Sequence, residues 1–479
     1  MNYMTNRLTR LSGVALIAGS VLLSACDDLL EVEDPDLLPP EALAGAAAIP
    51  VAVNGARSEF IAAYSGSGGE AFVSVTALMS DEYRSAGTFG TRNRTDRRDQ
   101  FAISQGNTSD GTYINLHQAR YAARLAADLV ENDGDGPSDP RYQEMKALEA
   151  MTLVMLGEAY CGSAPVSMVI DANTGEFEFG QPQSSAATLE DATAAADAAG
   201  STNLAAVVKG RALLNLGRTA EAAAAVASVP DDFVYYATHS ENGDQNGPWG
   251  LADARRYSIP DAEGGNGLPF RSEGTIYEGG SGAEASAENA IIQVGDPRMP
   301  LYDDSRGGFE SGRDAFNSLR YVTRESDLAV ATGIEARLIE AEAALTTNPA
   351  QTISILNDLR ADLVANMAIV APEYELPDGA SLDPLTDPGT PEARRDLLFK
   401  ERAYWLFLTG HRMGDLRRLV ANYGLPAEQV YPTGVYYKDD GSGSDVYGTD
   451  VVFPVDFDEL NNPNYTDESL CNFQSASFN

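Results

Sequence analysis

The stretch AAVVKGRALLNLGRTAEA, from Ala205 to Ala222, decides how this chain is built. Ala205 to Leu216 carries apolar residues at helical spacing, Gly217-Arg218 interrupts it, and Thr219-Ala220-Glu221-Ala222 opens an alanine-rich helix that closes at Val229-Pro230. Small residues on both arms allow two helices to pack closely. The same pattern lies on either side. Tyr121, Leu125 and Leu129 lie four apart, with Ala122, Ala126 and Val130 beside them, and Leu148, Met151 and Met155 follow the break from Asn132 to Pro137. Further on, Ile334, Leu338, Ala341 and Leu345 precede a turn at Thr347-Asn348-Pro349, and Ile353, Leu356 and Leu363 follow it. Hairpins of irregular length separated by long loops predict a mostly α-helical solenoid with elaborations. Strand-like pieces such as Asp450 to Val455 are short and few.

Composition removes whole classes of function. The 479 residues include 71 Asp or Glu against 33 Lys or Arg, a net charge of −38, so the mean field repels a nucleic acid. A hydrophobic content of 43% is that of a folded chain. Only four residues are lysine: Lys146, Lys209, Lys400 and Lys438. An acidic, lysine-poor surface stays hydrated in brine; coding bias toward Arg and Ala would explain the lysine deficit but not the excess of acid.

The N-terminus reads as an address. Residues 1–25 carry Arg7 and Arg10, no acid, and an apolar run from Leu11 to Leu23. That run is shorter than the roughly 18 residues a membrane span needs, so it predicts a signal peptide. Leu23-Ser24-Ala25-Cys26 then has the form of a lipoprotein signal, with the Cys26 thiol as the site of lipidation. Residues 26–40, acidic and ending in Pro39-Pro40, are expected to form a lipidated flexible tether, which leaves 41–479 as the folded domain. With Cys26 lipidated, only Cys161 and Cys471 remain. An exported setting favours one disulfide between them, the alternative being two buried thiols.

The Leu-Gly-Arg turn followed by Glu-Ala resembles a tetratricopeptide repeat. A longer constellation lies in the last third, Arg394-Arg395-Asp396 through Glu401-Arg402, then Gly410-His411-Arg412 and Asp415-Leu416-Arg417-Arg418. It resembles the SusD/RagB family of nutrient-binding outer-membrane lipoproteins. Gly267-Leu268-Pro269-Phe270, Asp296-Pro297-Arg298 and Asn461-Asn462-Pro463-Asn464 agree in order, while Met413-Gly414 stands where the family often has an aromatic residue. The resemblance implies a tetratricopeptide-like scaffold with long irregular loops, lipid-anchored at the outer membrane and facing the cell exterior. It also implies a SusC-like TonB-dependent transporter as partner, with oligosaccharides or peptides as cargo. A different reading of the same hairpins is an exported scaffold that binds only proteins.

In the motif itself, the helix around Tyr404 and Trp405 is apolar nearly all round and must be buried. Gly410 is placed to stop it and Asp415 to cap the next helix, and the clustered arginines are expected to pair and lock the helices. Catalysis finds no support. His117, His239 and His411 have no metal-ligand spacing, and no nucleophile elbow, Walker loop or dinucleotide fingerprint occurs. No cofactor is expected, and the Asp-rich loops read as solvated turns.

Binding by aromatic residues is the chemistry the loops favour, because sugar rings stack their C–H faces on Trp and Tyr while amides and guanidiniums bond the hydroxyls. The candidate region is 231–324, and within it Tyr236, His239, Asn246, Arg256 and Tyr257 surround Trp249, whose glycine and proline neighbours suggest exposure. A second candidate is Tyr83 and Arg84, in a loop with Phe89, Arg92 and Asp96.

Overall fold

The structure, a computed structural model, describes residues 45–67, 70–171, 176–279, 289–438 and 445–479. Cys26, the signal peptide and the tether lie outside the described residues. The chain divides into two compact units, Met1–Ala48 and Ile49–Asn479. Of the first, only residues 45–48 are described, and Ala46–Ala48 form one 3-10 turn. All the elements that follow belong to the second unit.

Eight helices pack in succession along the chain: Ile49–Ser65, Thr108–Asp133, Pro140–Ala159, Ser185–Ala198, Asn203–Asn215, Thr219–Val226, Gly333–Ala344 and Pro349–Ala361. Each start has a local cause. Asp139 accepts a hydrogen bond from the Arg141 N–H ahead of Pro140, and Ser184, Thr202 and Thr332 cap their helices through side-chain oxygens. Gly217, at φ 73°, makes the turn between the two helices of the opening motif. Their close approach is enforced at Gly210, where a Cβ would lie 2.5 Å from Val226 Cγ1. The third hairpin ends earlier than expected: its second helix closes at Ala361, and Leu363 starts a separate helix, Leu363–Val370.

Between the sixth and seventh of these helices the chain builds a four-stranded sheet. Gly274–Tyr277 and Asp296–Asp303 pair in parallel, flanked by antiparallel Ile291–Gln293 and Phe316–Ser318. Val234–Ala237 pairs separately with Leu328–Thr332 and returns the chain to the scaffold.

The family-like motif forms the helices Pro391–Trp405 and Arg412–Ala421. The expectation of burial holds from Leu398 onward, Lys400 apart, whereas Leu397 is half-buried and Pro391 and Glu392 at the helix start are exposed. Asp415 does not cap the second helix. Its carboxylate is taken instead by Arg402 at 2.9 Å and Arg418 at 2.8 Å, all three being buried. Arg418 also reaches Glu342 at 2.9 Å, Arg211 bonds Glu158 at 2.6 Å, and Arg298 bonds Glu401 at 2.6 Å. Buried guanidiniums thus tie the motif and the loop region to the scaffold, as the clustered arginines led one to expect. Burial pushes the Asp415 and Glu158 carboxyls up, but the adjacent guanidiniums outweigh it and hold both below the usual carboxylate range.

Other buried carboxyls go the opposite way. Burial raises Glu82 to about 8, Asp110 to about 7 and Asp96 to about 6. A raised folded-state value means that the native protein holds more protons than the unfolded chain between about pH 4 and that value, so stability falls as pH rises through this window. The depressed carboxyls lose their contribution at the acid end instead, below their unfolded values near 4. The melting temperature is therefore expected to be higher at about pH 5 than at about pH 8. In the Glu82→Gln variant, whose amide oxygen can still accept the Leu408 N–H that Glu82 accepts at 2.8 Å, the difference should shrink. An unchanged difference in thermal melts would refute the assignment to Glu82.

Candidate functional site

The two regions singled out in the sequence meet, but only in part. Strand Arg84–Ser85 pairs antiparallel with Tyr257–Ser258, so the loop after Phe72–Met79 lies against the segment that follows the short helix Gly247–Asp253. Two residues past that helix, Arg255, with a left-handed backbone at φ 57°, reverses the chain ahead of Arg256. A third segment completes the arrangement. The Ala86 N–H donates to Arg256 O at 2.7 Å, the Phe309 N–H to Arg255 O at 2.8 Å, and the Glu310 N–H to Ala86 O at 2.9 Å. Three loops far apart in sequence are thereby stitched edge to edge.

Phe89 and Phe309, 50% and 45% exposed, stand on this stitched surface. The Arg256 guanidinium carbon lies 3.2 Å from the Phe309 ring centroid and 5.1 Å from that of Phe89. Arg92 covers the Phe89 ring at 4.7 Å and the Tyr257 ring at 5.8 Å. Arg256 makes no side-chain hydrogen bond or ion pair among the described residues, and burial, then repulsion from Arg92 and Arg255, lower its pKa. Its donors are therefore open to a ligand between two aromatic faces. At the margin Lys438 bonds Gly87 O at 2.6 Å and Glu310 at 3.0 Å, and Tyr437 donates to Asp96 at 3.0 Å.

The other residues proposed from sequence fall elsewhere. Tyr83 and Tyr257 are buried with rings 5.4 Å apart, out of a ligand's reach. Arg84 is held by an ion pair to Asp314 and lies 4.8 Å over the Tyr437 ring. Asn246 is fully buried because it caps the helix Gly247–Asp253, accepting the Trp249 N–H at 2.8 Å and donating to Ser326 O at 2.8 Å. His239 is buried, its ring nitrogens 3.0 Å from Ser65 Oγ and 3.1 Å from Asp244 O, and burial keeps it neutral. Tyr236 donates its hydroxyl to Ile369 O at 2.9 Å. Trp249 is not the exposed platform its glycine neighbours suggested. It is half-buried against the main core, with Arg324 5.6 Å over its ring. Of the eight proposed residues, Arg256 alone lies between two half-exposed aromatic rings with no side-chain hydrogen bond or ion pair among the described residues. Phe309 was missed, although Gly307-Gly308 before it is the same signal that drew attention to Trp249.

No family model and no curated protein matches the sequence. Solved structures do. NanU of B. fragilis aligns over 92% of this chain and 100% of its own, with TM-score 0.57 and 13% identity. The chain has the SusD-like fold. A SusD-like carbohydrate-binding protein from Bacteroides vulgatus aligns over 88% of this chain and 98% of its own, with TM-score 0.56 and 13% identity. Surface glycan-binding protein A from Bacteroides uniformis covers 89% and 99%, with TM-score 0.55 and 12% identity. These alignments each cover about nine tenths of the chain. Among the described residues no helix is long and apolar enough to cross a membrane.

Proposed function

We propose that this protein captures oligosaccharides on the surface formed by Phe89, Arg256 and Phe309. The observation that carries the reading is a guanidinium with open donors between two half-exposed aromatic rings. Sugar C–H faces stack on the rings while hydroxyl or carboxylate oxygens accept from Arg256. Support also comes from the names of two proteins of the same fold, one a carbohydrate-binding protein and one a surface glycan-binding protein. On this reading the protein is a non-catalytic lipoprotein, anchored through Cys26 at the outer membrane. It delivers its cargo to a SusC-like TonB-dependent transporter.

The test is retention on a glycan panel, with peptides as the competing class. Phe309→Ala and Phe89→Ala should each weaken glycan binding by about 1–3 kcal/mol, with melting temperature unchanged because both rings are half exposed. Trp249→Ala should do the reverse, lowering stability and sparing affinity. If Trp249→Ala abolishes binding in a folded protein while Phe309→Ala does not, the surface has been misassigned.

A further inference from the structure

A cavity lies on the scaffold, away from that surface. It is a cleft of about 380 Å³ between the helix Thr108–Asp133, Pro165 to Ser167, Phe179, and the segment from Asp456 to Asn462. Its size suits a small molecule rather than a polymer. Tyr113, His117 and Arg120 lie three and four residues apart, so one helix face supplies them, and Ile114 and Tyr121 add apolar wall beside them.

Arg120 is out of character with the rest of the molecule. Arg98, Arg211, Arg298, Arg402, Arg412 and Arg418, all buried, each have a carboxylate partner, and buried Arg320 and Arg417 are wrapped by carbonyl oxygens. Among the described residues, Arg120, 4% exposed, has one hydrogen bond, from Nη2 to Ser167 O at 2.6 Å, and its buried Nε has no partner. In a chain with 71 acids, none lies within ion-pair distance of it among the described residues. Two more buried atoms of residues lining the cleft are unpartnered among the described residues: His117 Nε2 and Asp456 Oδ2. The His117 ring packs tilted against Tyr113 with centroids 4.5 Å apart, and burial, then Arg120, hold its pKa well below the usual histidine value. The opposite wall is acidic. Asp456 accepts the Asp458 N–H at 2.7 Å, Glu459 accepts from the Tyr113 hydroxyl at 3.0 Å, and Asp458 is exposed at the mouth.

An unsatisfied guanidinium and an unsatisfied carboxylate oxygen thus share one largely apolar cleft, and leaving either unpaired is costly. We infer that the cleft binds a small zwitterion with an apolar body, a free amino acid such as phenylalanine. Its carboxylate would meet Arg120, its ammonium the Asp456 to Glu459 wall, and its side chain Ile114, Tyr121 and Phe179. This site is separate from the surface at Phe309 and does not depend on the glycan reading.

The test is calorimetric titration of the intact mature protein with phenylalanine, 3-phenylpropionate, which lacks the ammonium, and phenethylamine, which lacks the carboxylate. Phenylalanine should bind saturably, and loss of either charge should weaken it about tenfold or more, the scale of a charge-assisted hydrogen bond. Arg120→Gln should remove the advantage of phenylalanine over phenethylamine. Because that variant alters a buried side chain, Ile114→Glu on the 40% exposed wall provides a second probe, expected to weaken phenylalanine with the thermal melt unchanged. Phe309→Ala should leave the titration unaffected. No saturable binding at about 10 mM phenylalanine, or binding that neither Arg120→Gln nor Ile114→Glu reduces, would overturn the inference. Equal affinity for 3-phenylpropionate would overturn the zwitterion assignment.

Discussion

Asp415→Ala is expected to destabilise the protein by about 3–5 kcal/mol, because it leaves two buried guanidiniums facing an empty position. Arg402 Nε and Nη2 each lie 2.9 Å from the Asp415 carboxylate, and Arg418 Nη2 lies 2.8 Å from it. These three side chains are about 2% exposed, so water cannot replace the lost partner. Glu342, 3.5 Å from Arg402 and 2.9 Å from Arg418, would be left to serve both cations. The control is Asp387→Ala. Its pair with Arg394 has the same bidentate form, at 2.7 Å for both bonds, but sits at the exposed start of the helix. Screening makes such a pair worth little. Urea unfolding of both variants decides the matter: a similar small shift in midpoint for each would mean that the buried network contributes no more than surface pairs do.

The second large effect belongs to the Cys161–Cys471 bond, which joins residues 310 positions apart with their Cα atoms 5.3 Å from each other. For a loop of that length the chain-entropy argument gives a loss of at most about 5–6 kcal/mol when the bond is removed. Noncovalent contacts hold the same tail. The Cys161 N–H donates to Phe453 O at 2.9 Å, Ser163 Oγ and Tyr465 Oη are 2.9 Å apart, and Arg417 donates to Ala476 O at 3.0 Å and Ser477 O at 2.7 Å. The double variant Cys161→Ala, Cys471→Ala should therefore fold, with a large drop in melting temperature. Reductant should lower the melting temperature of the parent toward that of the variant and leave the variant's unchanged. Equal melting temperatures for parent and variant, both without reductant, would show that the tail is held by these contacts alone.

Much of the candidate surface was hidden in the sequence for reasons that can be named. Asn246-Gly247-Pro248-Trp249 was read as an exposed loop because glycine and proline flank the tryptophan. The same residues are a helix start, an Asn cap followed by Pro in the first turn, and that signal was legible. What was not legible is why Gly247 is there: a Cβ would lie 2.2 Å from Gly66 O, a neighbour 181 positions away in the chain. Likewise Tyr83 and Arg84 gave no hint that their strand would pair with Tyr257, or that Phe309 would arrive beside Arg256. The motif arginines announced a network, but Glu342 lies on a scaffold helix with nothing local to mark it as a partner.

The sequence by itself determined the helical hairpins, their turns, and the burial of Tyr404 and Trp405. Each of these rests on interactions within a few residues, which leave a period or a turn residue to read. Only the tertiary structure decided which aromatic rings face solvent and which buried arginine has neither a carboxylate partner nor a shell of carbonyl oxygens among the described residues. Phe89, Arg256 and Phe309 are brought together by three backbone hydrogen bonds between distant loops, and Arg120 is exceptional only by comparison with the pairing of every other buried arginine. Backbone amides and carbonyls are the same at every non-proline residue, so a contact made through them leaves no mark in the sequence.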